Sequence, residues 1–132
     1  MKKIKLVQKL YPKINNVSGI LISTGSCGLK KNNEKDLVVI KLNKGSETTG
    51  VFTNSKTQSE AVRWSKRNIK NNIEAIIVNS GNANALTGYD GYNCIKQYTN
   101  FLGKTINCNP KNILVASTGI IGEQLNYKKI NK

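Results

Sequence analysis

Short apolar runs, rich in β-branched residues and separated by polar stretches, set the rhythm of this chain. Leu37-Val38-Val39-Ile40, directly after Asp36, has the length and composition of a buried strand. Thr48-Thr49-Gly50-Val51-Phe52-Thr53 has a similar character. Gly45-Ser46 between the two is a turn signal, so the pair is expected to form a hairpin. Ala75-Ile76-Ile77-Val78 predicts a third strand that runs into the polar loop Asn79-Ser80-Gly81-Asn82. Ile113-Leu114-Val115-Ala116 predicts a fourth that runs into Ser117-Thr118-Gly119, and Ile20-Leu21-Ile22 one more near the start.

Between the third and fourth strands, Ile95, Tyr98 and Leu102 recur at helical spacing. They predict a helix over Tyr92–Leu102, with Asp90-Gly91 ahead of it and Gly103 as its stop. From Asn126 to Lys132 the pattern shows no closing element, as expected of a chain cut inside a domain. The order of strands, polar loops and helix predicts an α/β, mixed α+β sandwich. The 132 residues suffice for one domain, or part of a larger one, with a modest core.

Composition narrows the possibilities by exclusion. No apolar run approaches the roughly 20 residues that cross a bilayer. The basic opening Met1-Lys2-Lys3-Ile4-Lys5-Leu6 lacks the long apolar stretch of a secretory signal. Together with three cysteines that form no obvious framework, this makes a reducing cytoplasm the expected compartment. Cys27, Cys94 and Cys108 form no Cys-x-x-Cys pair, so they are expected to be small buried or half-buried thiols rather than zinc ligands. There is no histidine, so no Ser-His or Cys-His catalytic pair can form within the chain.

The net charge of +14 suggests a basic nucleic-acid-binding module as the alternative function. Against it, Arg63 and Arg67 are the only arginines, the lysines are scattered, and the aromatics do not interleave with them as a stacking platform would. Abundant Lys, Asn and Ile match the compositional bias of an AT-rich genome.

The two polar segments are where chemistry could sit, since residues at strand ends are held rigidly while staying exposed. In Thr118-Gly119 a hydroxyl stands beside a glycine amide, the two donors that an oxyanion pocket needs. As three isolated residues, Ser117-Thr118-Gly119 equally suits an ordinary turn. Asn79, Asn82 and Asn84 could line a ligand, but asparagines alternating with Ala and Gly are more typical of a loop that bonds to its own backbone.

Taken in order, Gly50-Val51-Phe52-Thr53, Val78-Asn79-Ser80-Gly81-Asn82-Ala83-Asn84-Ala85, Thr87-Gly88 and Leu114-Val115-Ala116-Ser117-Thr118-Gly119-Ile120-Ile121-Gly122 resemble the bifunctional ornithine acetyltransferase / glutamate N-acetyltransferase family of arginine biosynthesis. The resemblance runs from near Gly19 to about Ile130 and makes residues 1–132 the N-terminal portion of the α chain, without a β chain. It implies a layered sandwich resembling N-terminal nucleophile hydrolases, here as an incomplete domain. It also implies a precursor that cleaves itself into α and β chains, assembled as two of each. The first Thr of the β chain is then the nucleophile that moves acetyl from N-acetylornithine to glutamate. Such a Thr uses its own amine as base, which fits a chain without histidine.

By the same resemblance Thr118 donates its hydroxyl and Gly119 its amide to the oxyanion. No resident cofactor or metal is implied, though acetyl-CoA is a substrate of bifunctional members. Small molecules and the β chain are the expected partners, not nucleic acid or a membrane. No Ala-Thr cleavage junction occurs in the chain, so alone it is expected to be inactive. Leu86, Asn54-Ser55-Lys56 and Ser59-Glu60-Ala61 depart from the family pattern, which usually has Cys, a Thr-Asn-Arg-like stretch and Ala-Ala-Pro there. A self-cleaving aminopeptidase of similar fold is the third possibility, and the Asn79–Ala85 motif argues against it.

Overall fold

The structure, a computed structural model, describes residues 15–131. The basic opening Met1–Leu6 and Lys132 lie outside them. Four strands form one sheet in the order β1 (Ile20–Gly25), β2 (Leu37–Leu42), β3 (Ala75–Asn82) and β4 (Ile113–Ile120). The first two pairings are antiparallel, whereas β3 and β4 run parallel. The helices are α1 (Glu60–Asn68), α2 (Gly88–Ile106) and α3 (Tyr127–Ile130), with a 3₁₀ turn at Pro110–Asn112.

One face of the sheet carries Ala75 and Ile77 of β3 with Ile113 and Val115 of β4. These pack against Ala61 and Trp64 of α1, Cys94, Ile95 and Tyr98 of α2, and Leu125 and Ile130 near the end. The alternate residues point to the other face. There, in register, stand Ile20, Ile22, Val38, Ile40, Leu42, Ile76, Val78, Leu114 and Ala116. None belongs to the helix-covered core, and none is charged. Leu114 is buried but Ile22 is 60% exposed.

Helix α1 was not signalled by apolar periodicity. Its inward face is Ala61, Trp64, Ser65 and Asn68, half of it polar. Trp64 and Ser65 on this face bond to the outer edge of β4. Trp64 Nε1 donates to the Ile113 carbonyl at 2.8 Å, and Ser65 Oγ donates to the Val115 carbonyl at 2.7 Å. The Val115 amide in turn donates to Ser65 Oγ at 2.9 Å. An edge strand left bare would present unpaired donors and acceptors; here one helix satisfies those of Ile113 and Val115. Ser59 caps α1 by accepting from the Val62 amide at 3.3 Å. Arg67 lies over the Tyr92 ring, 5.5 Å from its centroid, and ties α1 to α2.

Several expectations need correction. The strands at Ile20–Ile22, Leu37–Ile40, Ala75–Val78 and Ile113–Ala116 form, but Thr48–Thr53 is not a strand and the hairpin does not exist. Strand β2 already has β1 on one side and β3 on the other, so no ladder remains for a further partner, and Val51 is fully exposed. The helix expected at Tyr92–Leu102 runs from Gly88 to Ile106. Gly103 does not stop it. It sits inside the helix, where a Cβ would press on the Cys108 carbonyl at 2.8 Å, and the stop is Asn107, left-handed at φ 55°. The tail is not featureless: α3 follows Leu125, which is 4% exposed, and Ile130 joins the core.

Ile77 is buried between the sheet and the helices, so Ile77→Ala should cost about 2–5 kcal/mol in urea unfolding. Val51→Ala should move stability by no more than about 0.5 kcal/mol. Equal effects from the two would refute this placement of the core.

Candidate functional site

The two polar motifs meet across the parallel ladder. Asn79 pairs with Ser117, Ser80 with Thr118 and Gly81 with Gly119. The register then shifts at Asn82, which faces both Thr118 and Ile120. Both segments were expected as loops beyond their strands. They are instead the last residues of β3 and β4, because each supplies the other's backbone partners. Beyond the ladder the contact continues, with the Ala83 amide donating to the Ile120 carbonyl and the Gly122 amide to the Ala85 carbonyl, both at 2.9 Å.

The asparagines serve the local backbone, as their alternation with Ala and Gly suggested. Asn79, 3% exposed, donates from Nδ2 to the Asn82 carbonyl at 2.9 Å. Its Oδ1 accepts from Ser117 Oγ at 2.6 Å. Asn82 donates to the Glu123 carbonyl at 3.0 Å and accepts the Asn84 amide at 2.7 Å. Asn84 is fully buried, donates to the Gly91 carbonyl at 3.0 Å and accepts from Thr87 Oγ1 at 2.8 Å. That last bond explains why Thr87, the residue before α2, makes no side-chain cap to the helix.

Thr118 and Gly119 are exposed. Thr118 lies on the opposite face from Ser117, in line with Ala116 and Leu114. Gly119 has φ 136°, and a Cβ there would run into the Gly81–Asn82 peptide. Only glycine permits that backbone and that approach. A hydroxyl and a glycine amide thus stand next to each other at the accessible end of a rigid strand pair, able to offer two donors to a developing oxyanion.

Asp36, 2% exposed, organises the neighbouring loop. It accepts the Cys27 amide at 2.7 Å and the Lys30 amide at 2.8 Å, while its carbonyl accepts the Ser80 amide at 2.8 Å. Burial pushes its carboxyl upward, but these amide bonds outweigh burial and hold it below the ordinary value. Burial, with Asp36 alongside, pushes the Cys27 thiol up to about 11. Burial alone takes Cys94 to about 11, and Cys108 is also raised, again chiefly by burial. None is an activated thiolate. Among the described residues no cluster of His, Cys, Asp or Glu could hold a metal ion. A cleft of about 330 Å³ lined by Cys27, Asn33, Leu37 and Lys129 is separate from Thr118 and Gly119.

Two residues near the site escaped sequence reading. Ser117 was visible only as part of a turn-like triplet, and Tyr98 only as an apolar position of α2. The register brings Ser117 to Asn79, and α2 sets the buried Tyr98 hydroxyl beside Ser117. Burial raises the Tyr98 phenol well above its ordinary value, with Cys94 adding to the effect and Ser117 opposing it.

Residues 21–132 match the family model of the ArgJ family. The chain belongs to the ArgJ family. Curated relatives carry the name arginine biosynthesis bifunctional protein ArgJ. That of Bradyrhizobium diazoefficiens is 35% identical over 127 residues, covering 96% of this chain and 31% of the relative. That of Brucella melitensis is 36% identical over the same length, with the same coverage. The chain therefore spans about a third of the length of these family members. Two solved family structures share the fold. The ArgJ protein of Bacillus halodurans superposes with a TM-score of 0.80 at 29% identity, covering 86% of this chain and 60% of that one. The ornithine acetyltransferase of Mycobacterium tuberculosis, solved in complex with ornithine, gives 0.82 at 25% identity over 86% of this chain and 63% of that one. No described helix is long and apolar enough to cross a membrane.

Gly119→Ala should wreck the strand junction, lowering the thermal midpoint far more than Ala116→Gly on the same strand; a midpoint equal to that of the parent would refute the close approach. The thiols give a pH signature. Cys27 and Cys94 keep their protons in the folded chain to about 11, against an ordinary value of 9.0. Their contribution to stability is complete below 9.0 and is lost as pH rises towards 11, because the unfolded chain sheds these protons first. Denaturant midpoints should fall across that window, and a Cys27→Ser/Cys94→Ser double variant should flatten the fall.

Proposed function

We propose that this chain is the N-terminal share of an ornithine acetyltransferase / glutamate N-acetyltransferase, and that Thr118 and Gly119 supply its oxyanion donors. The observation that carries this is the pairing of Thr118-Gly119 with Ser80-Gly81 at an exposed strand end, in a chain of the ArgJ family. The nucleophile is the N-terminal Thr of a β chain. Its hydroxyl oxygen attacks the acetyl carbon of N-acetylornithine while its own amine takes the proton. The carbonyl oxygen becomes an oxyanion, to which Thr118 Oγ1 and the Gly119 amide donate. The C–N bond then breaks, ornithine leaves with the proton, and an acetyl-Thr ester remains. The amine of glutamate attacks that ester, releasing N-acetylglutamate and restoring the Thr. Neither half-reaction draws on a cofactor, and acetyl-CoA would enter only as an alternative acetyl donor.

The β chain would dock on the uncharged sheet face bearing Ile22, Ile40, Ile76 and Ala116. Thr118 lies in line with that face, so a nucleophile arriving there reaches the two donors.

Co-expression with the β chain of a family member should give acetyl transfer from N-acetylornithine to glutamate, with none from either part alone. Thr118→Ala should then lower kcat by about 10²–10³-fold. Unchanged kcat would remove Thr118 from the oxyanion role, and no transfer from the reconstituted pair would remove the proposed function.

A further inference from the structure

The side chains beneath Thr118 form a connected set. Ser117 Oγ donates to Asn79 Oδ1 at 2.6 Å, and Asn79 Nδ2 donates onward to the Asn82 carbonyl at 2.9 Å. Asn79 and Ser117 are register partners, one residue ahead of the Ser80–Thr118 and Gly81–Gly119 pairs. The Asn82 carbonyl lies just past those pairs, where the register shifts. One buried asparagine therefore bridges the strand pair from before the Thr118-Gly119 step to after it. The Tyr98 hydroxyl, on a residue 1% exposed, lies beside Ser117 with no partner inside hydrogen-bond geometry.

The bridge is needed where it stands. In the ladder the bulge at Asn82 interrupts regular pairing, and Gly119 has no side chain to anchor its own backbone. Backbone freedom at Gly119 would smear the direction of its amide and of the neighbouring Thr118 hydroxyl. Misplacement of donors by about 1 Å can cost about 10²-fold in rate.

We infer that Asn79 and Ser117 are positioning residues that hold the Thr118-Gly119 donor pair in place through the Ser117–Asn79–Asn82 hydrogen-bond bridge. This rests on the oxyanion reading of Thr118 and Gly119. Neither side chain touches the reacting atoms: both act from the helix side of the sheet, behind the donors.

Two measurements test it. In the full chain, hydrogen exchange of the Ala83 amide, which donates across the strand ends to the Ile120 carbonyl, should quicken by about tenfold in Ser117→Ala, while the core amides of Ile77 and Val115 keep their protection. In the enzyme reconstituted with a β chain, Ser117→Ala should lower kcat by about 10- to 100-fold with KM for N-acetylornithine unchanged, and Ser117→Thr, which retains the hydroxyl, should restore it. If Ser117→Ala does not fold, Asn79→Asp serves the same purpose, since it keeps the shape but removes the donor to Asn82. Unchanged exchange at Ala83, or a uniform loss of protection across the sheet, overturns the inference. Thr118→Ala run in parallel separates the two ideas. If it lowers kcat while Ser117→Ala leaves kcat unchanged, the positioning role falls and the oxyanion role stands. If neither changes turnover, both fall.

Discussion

A parallel pair of strands cannot be closed by a tight turn, and most of this molecule follows from that constraint. Strand β4 lies parallel to β3, so the chain must leave the end of β3 and return to its beginning before β4 can start. Helix α2 makes the return and in doing so lays Cys94, Ile95 and Tyr98 over the sheet. The crossover also sets the ends of both strands at the same edge. That is why Asn79–Asn82 and Ser117–Ile120, far apart in sequence, become neighbours. In an antiparallel pair the end of one strand would meet the start of the other, and the two motifs would never touch. The close approach of Gly119 to the Gly81–Asn82 peptide is the local consequence, since two backbones share that edge with no room for a Cβ. Helix α1 completes the pair from outside by bonding to the free edge of β4 through Trp64 and Ser65.

What could be read from sequence divides along physical lines. Apolar β-branched runs such as Leu37–Ile40, Ala75–Val78 and Ile113–Ala116 announce themselves, because they turn apolar side chains towards both faces of the sheet and so have little polar punctuation. Thr48–Thr53 has the same composition and fails, because β propensity describes fit to a neighbouring strand, and β2, the strand before it in the chain, already pairs on both sides. Helix α1 hides for the opposite reason: its inward face includes Ser65 and Asn68, which bond to backbone rather than fill volume. The first turn of α2, Gly88 to Gly91, has poor intrinsic helicity and is held by Asn84, which bonds the Gly91 carbonyl. Such a bond appears only once the fold has placed its partners.

The candidate site shows the same division. Thr118 and Gly119 stood out as candidates through the order and spacing of several motifs, which needs no knowledge of register. Ser117 with Asn79 was not, because that contact depends on register, and a slip of one residue would turn Ser117 to the other face. The asparagines read correctly as loop-binding side chains, yet their chemistry is more specific than a loop requires. Asn79 alone reaches across to β4.

Charge and burial bear on the site together. A chain of net charge +14 has placed no charge on the sheet face that carries Ile22, Ile40, Ile76 and Ala116. Lysines fill the remaining surface freely, so their absence here marks a face selected for apolar contact rather than for solvent. Thr118 stands at the end of that face, and in the proposed enzyme this position has an electrostatic consequence. Two hydrogen-bond donors facing water gain little from a developing negative charge, because water competes for it and screens it. The same donors under an apolar layer act in a low dielectric, where their fixed dipoles are worth far more. A partner that covers the face would therefore bring the nucleophile and exclude the water in one step. The donors would reach full strength only on assembly, so an unpartnered chain could carry an intact donor pair and still stabilise no transition state.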